Sequence, residues 1–119
     1  MIRGVLYLAG PYRAKNGRTV WENVRNAERI ALKWWKAGFA VICPHLNTAF
    51  FDGEAPDEVW LDGDIEIVKR CDAVLAMRTF RESTGSLKEI NLAIELGKKI
   101  IFLDDDGNEI VDKWAQPRF

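Results

Sequence analysis

Short apolar runs alternate along this chain with longer segments of helical period. Val5-Leu6-Tyr7-Leu8-Ala9 is a continuous apolar run closed by Gly10-Pro11, the pattern of a strand covered on both faces. After the polar turn Lys15-Asn16-Gly17-Arg18, apolar residues recur at Val20, Val24, Ala27, Ala31 and Trp34, the spacing of one helix face. Thr19 with Glu22 reads as a capping box for that helix, which runs to about residue 37. Gly38 stands where a helix C-terminus takes a left-handed residue. Phe39-Ala40-Val41-Ile42-Cys43, ended by Pro44, is a second strand. Residues 46–56 have no clean period and read as a loop with room for one helical turn. Asp57 or Asp52 starts a helix that reaches Arg70; residues 72–77 form a third strand, 85–97 another helix and 99–103 a fourth strand. Asp104-Asp105-Asp106-Gly107-Asn108 is a turn, and the residues beyond it form a short tail packed through Trp114.

Near-continuous apolar strands alternating with helices predict an α/β protein: a single flavodoxin- or Rossmann-like domain over residues 1–119, with a parallel sheet of four to five strands and helices on both faces. The order 2-1-3-4 puts a switch point between the first and third strands. The loops after those strands, residues 10–18 and 78–86, then face each other across one crevice. With 119 residues, 48% hydrophobic and 29% charged, the chain is long enough for one core and too apolar to be disordered. A formal net charge of −1 argues against a nucleic-acid polymer as partner. No apolar run is long enough to predict a membrane span or a signal-peptide core. Cys43 and Cys71 each flank an apolar run and read as buried thiols; with no metal-binding spacing and no disulfide framework, the expected compartment is the cytoplasm.

The residues that could carry chemistry gather around Ser83-Thr84-Gly85-Ser86-Leu87-Lys88-Glu89. This segment carries the chain from a strand's carboxyl end into a helix's amino end, where outward N–H groups favour negative charge. Ser86-x-x-Glu89 fits a capping box; alternatively Glu89 faces inward, heading a row with Ala93 and Leu96. Asp64 lies within the stripe of Trp60, Leu61, Ile65 and Val68. A carboxylate there is costly unless paired or lining a polar cavity; the plainer alternative is an edge Asp bonded to a loop. Gly63 beside it leaves room for a ligand. Arg13 overlooks the crevice and either grips a phosphate or is an ordinary loop cation. Tyr7 is by default a core aromatic, and His45, the single histidine, either lines the site or is structural. Trp34-Trp35 predicts one core and one surface or interface aromatic. Neither GxGxxG nor GxxxxGK[ST] occurs, which argues against a Rossmann dinucleotide site or a P-loop.

Taken together, Tyr7-Leu8-Ala9-Gly10-Pro11, Asp64 before Cys71-Asp72-Ala73-Val74-Leu75, and Ser83-x-Gly85-x-x-x-Glu89 followed by Gly97-Lys98-Lys99 resemble the nucleoside 2-deoxyribosyltransferase family. That grouping includes the 2′-deoxynucleoside 5′-phosphate N-hydrolases and small bacterial and phage relatives. The resemblance spans residues 5–103. It implies that Glu89 is the nucleophile at the anomeric carbon, that Asp64 contacts the sugar or helps protonate the base, and that Tyr7 stands near the nucleophile. It implies that Ser83 and Arg13 hold a 5′-phosphate, with Ser86 as a further donor; Gly10, His45 and Gly85 complete the expected substrate-binding set. Neither cofactor nor metal is implied, and the assembly is expected to be a homodimer or larger. Two departures stand out: the family acid that reads the base has only Glu82 as a counterpart, and the tail Gln116-Pro117-Arg118-Phe119 is short for completing a neighbouring subunit's site. Hydrolysis at the N-glycosidic bond of a nucleoside or nucleoside 5′-monophosphate is therefore expected over transfer. The alternative is a non-catalytic nucleotide-binding or sensing module on the same scaffold.

Overall fold

In the computed structural model, which describes residues 1–117, four strands form one parallel sheet: β1 (Val5–Ala9), β2 (Ala40–Ile42), β3 (Ala73–Ala76) and β4 (Lys99–Phe102), in the order β2-β1-β3-β4. Leu6 pairs with Val41 on one side and Ala73 on the other, and Ala76 pairs with Phe102. The helices are α1 (Val20–Lys36), α2 (Pro44–Asn47), α3 (Asp57–Arg70) and α4 (Thr84–Glu95), with a 3-10 turn at Phe80–Glu82. This is the expected flavodoxin- or Rossmann-like architecture, with its switch point between β1 and β3.

Alternating side chains along the strands divide the core into two layers. Leu6, Leu8, Leu75 and Ile101 pack with Ala27, Ile30 and Ala31 of α1. On the other face, Tyr7, Ala9, Val74 and Phe102 pack with Val68 of α3 and with Ile90 and Ala93 of α4. The capping box at α1 is formed in both directions: Glu22 N–H donates to Thr19 Oγ1 at 3.0 Å, and Thr19 N–H donates to Glu22 Oε1 at 3.1 Å. Trp34 packs against the core, whereas Trp35 is exposed. Trp21, Leu32 and Trp35 all lie exposed on the outer stripe of α1.

Several boundaries differ from those expected. Pro44 does more than end a strand: its fixed φ suits a first helical turn, so α2 starts there, ahead of the loop in which a turn was expected. β2, β3 and β4 each lose a residue or more at their ends to the adjoining loops. The fourth helix starts at Thr84 rather than Gly85, after a 3-10 turn that apolar spacing does not reveal. Leu96 is half exposed, so the inward row of α4 ends at Ala93. Trp114 is largely exposed, and Gln116 Nε2 donates to the Ile110 carbonyl at 2.7 Å. Arg118 and Phe119, the end of the expected tail, lie outside the described residues.

The turn after β4 closes on itself and on α1. Asp104 Oδ1 accepts from the N–H groups of Asp106 and Asn108 at 3.0 and 2.9 Å. Trp34 Nε1 donates to the Gly107 carbonyl at 2.8 Å, and Lys33 Nζ donates to Asn108 Oδ1 at 2.6 Å. The chain then returns beside β4, with an antiparallel bridge between Leu103 and Glu109 and a bond from Ile110 N–H to the Phe102 carbonyl at 2.8 Å. Gly107 has φ +81°, and a Cβ there would stand 2.9 Å from Ile30 Cγ1. Gly107→Ala is therefore expected to destabilise the fold by about 2 kcal/mol, adding left-handed strain to overpacking. Urea unfolding should show a lower midpoint at unchanged slope; a wild-type midpoint would mean that the turn does not press on α1.

Candidate active site

The carboxyl ends of β1 and β3 open into a crevice of about 480 Å³, bordered by the β1–α1 loop, α2, α3 and the start of α4. Alternation along β1 aims Tyr7 into the layer shared with α3 and α4, where it is wholly buried. Its hydroxyl donates to Glu89 Oε2 at 2.5 Å. Glu89 is 6% exposed and borders the crevice in the second turn of α4. The capping-box reading of Ser86 and Glu89 does not hold. Ser83 is the cap, with its Oγ accepting from Ser86 N–H at 3.1 Å, so Glu89 lies too far along the helix to cap it.

Asp64 also borders the crevice, near enough to act on both neighbours electrostatically. Burial pushes Asp64 up to about 6. Burial also pushes Glu89 up to about 8, against the opposing bond from Tyr7 and with a further upward push from Asp64. Burial above all, then the two nearby carboxylates, raise Tyr7, which stays a phenol donor at neutral pH. Between pH of about 6 and 8 the two carboxyl groups thus carry one proton, which rests mainly on Glu89. Gly63 does not make room here. It is exposed on α3, and nothing lies within 4 Å of a Cβ at that position, because one residue along a helix turns away from Asp64's face.

The opposite wall is held by two buried polar side chains. His45 is 3% exposed and borders the crevice, with Nε2 lying 3.1 Å from the Gly10 carbonyl and 3.0 Å from that of Pro11. Carbonyls only accept, so Nε2 carries the hydrogen, and Nδ1 is left facing Cys43 Sγ at 3.8 Å. Burial holds His45 below its ordinary value, so the ring is neutral. His45 therefore supports the wall through the backbone, the structural role the sequence left open. Asn23 Nδ2 donates to the carbonyls of Tyr12 and Arg13 at 3.1 and 3.0 Å. Sequence reasoning missed Asn23; its signal was a polar residue three after Val20 and four before Ala27 on the buried face of α1. Together His45 and Asn23 engage the carbonyls of Gly10 through Arg13. Gly10 itself lies so close to β3 that a Cβ would meet the Met77 side chain.

Ser83, Gly85 and Ser86 all border the crevice. Arg13 borders it as well, but its Nη2 is 2.5 Å from Asp57 Oδ2 at the start of α3. Glu82 is likewise engaged by its own chain. Arg18 pairs with its carboxylate, Asn16 Nδ2 donates to that carboxylate at 2.8 Å, and Lys15 Nζ reaches its carbonyl at 3.4 Å. The Asn16 bond and the Arg18 pairing hold Glu82 below the usual carboxylate range. Among the described residues, no cluster of His, Cys, Asp and Glu could hold a metal ion, and no helix is long and apolar enough to cross a membrane.

A parallel sheet of this order, with a crevice at its switch point and helices on both faces, defines a doubly wound α/β domain. The chain belongs to the family described as a domain of unknown function (DUF7768), which matches residues 4–103. Among curated proteins no match is found. Among solved structures, the chain is similar to a 2-deoxyribosyltransferase from the psychrotolerant bacterium Bacillus psychrosaccharolyticus, at 21% identity and a TM-score of 0.62, over 89% of this chain and 76% of that one. It is also similar to a conserved protein from Enterococcus faecalis V583, at 22% identity and a TM-score of 0.60, over 95% of this chain and 67% of that one. At these identities what is shared is the fold.

The buried acid carries a stability signature. Unfolded, Glu89 ionises near 4.5, and folded it holds its proton up to about 8. The folded state binds the extra proton in this window, so its contribution to stability is present at low pH and is lost as pH rises toward 8. Glu89→Gln cannot ionise, and its melting temperature should gain on the wild type steadily from pH 5 to pH 8. Melting curves for the two proteins that stay parallel over this range would contradict the burial of an ionisable Glu89.

Proposed function

We propose that this chain cleaves the N-glycosidic bond of a nucleoside or nucleoside 5′-monophosphate, by hydrolysis or transfer, with Glu89, Asp64 and Tyr7 as its catalytic residues. The observation that carries the reading is the bond from the Tyr7 hydroxyl to Glu89 at 2.5 Å, with Asp64 beside it on the floor of the crevice. The shared fold of a 2-deoxyribosyltransferase adds support.

In this mechanism an ionised Glu89 oxygen attacks the anomeric carbon, and the bond to the base nitrogen breaks with its electron pair leaving on the base. Asp64 supplies the proton that the departing base takes up. Tyr7 holds the attacking carboxylate in place through its hydroxyl. Water then attacks the anomeric carbon of the glycosyl ester, giving a proton to the Asp64 carboxylate, and returns Glu89 as a carboxylate and Asp64 as an acid; a second base that gives up its N–H proton to Asp64 in place of water gives transfer. Of the two outcomes we favour hydrolysis. Arg13, Ser83, Gly85 and Ser86 make up the substrate-binding edge with Gly10, and His45 is its rigid backing. The reading uses no cofactor.

Base release from a panel of nucleosides and their 5′-monophosphates tests it. Glu89→Gln should abolish release, and a variant that keeps more than half of the activity would remove Glu89 as nucleophile. Catalysis needs the tautomer with Glu89 ionised and Asp64 protonated, which belongs to the singly protonated pair. The rate against pH should therefore be bell-shaped, with limbs near 6 and 8. Asp64→Asn should lower the rate and remove the alkaline limb; a wild-type profile still climbing past pH 9 would contradict this division of roles. Tight nucleotide binding without base release would favour the sensing module instead.

We also infer self-association into a homodimer or larger, supported by the exposed stripe of Trp21, Leu32 and Trp35 on α1. Light scattering at micromolar concentration should give at least twice the monomer mass, and a monomer mass would contradict it.

A further inference from the structure

We propose that Asp57 is an internal competitor for the anionic group of the substrate, occupying Arg13 until a phosphate displaces it. This rests on the reading of the crevice as a nucleotide site. Arg13 Nη2 and Asp57 Oδ2 are 2.5 Å apart, and both residues border the crevice from opposite sides, one on the β1–α1 loop and the other at the first position of α3. Asn23 fixes the Arg13 backbone, so the residue stays at the crevice and only its side chain needs to change partner. Both side chains are more than half exposed, at 65% and 54%. A pair this exposed is weak and exchangeable. A phosphate offers more charge and more oxygens to a planar guanidinium than one carboxylate does. A neutral nucleoside offers neither and leaves the pair closed.

The displaced carboxylate has somewhere to go. No side chain caps the start of α3, where Pro56 is the cap residue. Asp57 released from Arg13 remains beside the positive end of that helix, which favours an anion. Exchange therefore moves a carboxylate between two favourable positions and strands no charge. The arrangement makes Asp57 a specificity-determining residue: it sets how strongly the crevice prefers a phosphorylated ligand and how that preference depends on salt.

The test measures binding of 2′-deoxynucleoside 5′-monophosphates, the matching nucleosides and inorganic phosphate by calorimetry, in a Glu89→Gln background so that turnover does not intervene. Asp57→Asn should tighten the monophosphate by about two- to fivefold relative to the nucleoside, the range an exposed ion pair allows. That gain should shrink as salt rises to about 0.5 M, where such charges are screened. Combined with Arg13→Ala, the Asp57→Asn change should have no further effect, because the two act on one contact. Weaker monophosphate binding by Asp57→Asn would make Asp57 an orienting partner of Arg13 and overturn the proposal, as would unchanged binding or no monophosphate binding to either protein. Base release is scored separately in the Glu89 protein. Absence of release with the affinity shift intact removes the enzymatic reading and leaves the competition; release without the shift does the reverse.

Discussion

The hydrogen bond from the Tyr7 hydroxyl to Glu89 joins the sheet to α4. Tyr7 is fixed by its strand, Glu89 by its helix, and the two meet in a layer otherwise filled by Ala9, Val74, Ala76, Ile90 and Ala93. A carboxyl group in such surroundings must keep its proton or find a strong donor, and here both conditions act at once. The bond from Tyr7 lowers the cost of ionising Glu89, burial raises it, and burial wins. An acid balanced in this way resists ionisation at rest, and the Tyr7 hydroxyl keeps its oxygen fixed in place for the moment the proton leaves.

Around this bond the crevice is uneven in stiffness. The backbone from Gly10 through Arg13 is engaged at each carbonyl by His45 or Asn23, both buried. The stretch beyond it touches the opposite wall through charged, more exposed contacts, Arg13 with Asp57 and Lys15, Asn16 and Arg18 with Glu82. Buried bonds to carbonyls are expensive to break, because they leave unpaired groups in a dry layer, whereas exposed ion pairs exchange readily with water and ligand. One wall is therefore fixed to α1 and α2, and its outer edge is held by exposed contacts open to exchange.

What could be read from the chain follows from where the determining interactions lie. Strand runs, the capping box at Thr19 and Glu22, the sheet order and the inward carboxyl groups at Asp64 and Glu89 are encoded locally or by period, and all of them were legible. The cap of α4 was not: Ser83 and Ser86 both suit an N-cap, and only the preceding 3-10 turn at Phe80–Glu82 decides between them. Asn23 was overlooked because its partners are carbonyls of a loop ten or so residues earlier, which no side-chain pattern marks. The same holds for Arg13, whose partner Asp57 is distant in sequence and becomes a neighbour only once α3 is docked.

The return of the chain beside β4 has a consequence for how copies of this protein can meet. Ile110 donates to Phe102 and Leu103 bridges Glu109, so the outer rim of β4 is partly covered by its own chain. At the other rim, β2 is only three residues long. Neither border offers the long, unpaired ladder on which an extended peptide or a second sheet could nucleate. Growth of a continuous intermolecular sheet is disfavoured at both borders by geometry rather than by charge. The self-association proposed above would then fall to helix surfaces, where contact areas are finite and assemblies can close.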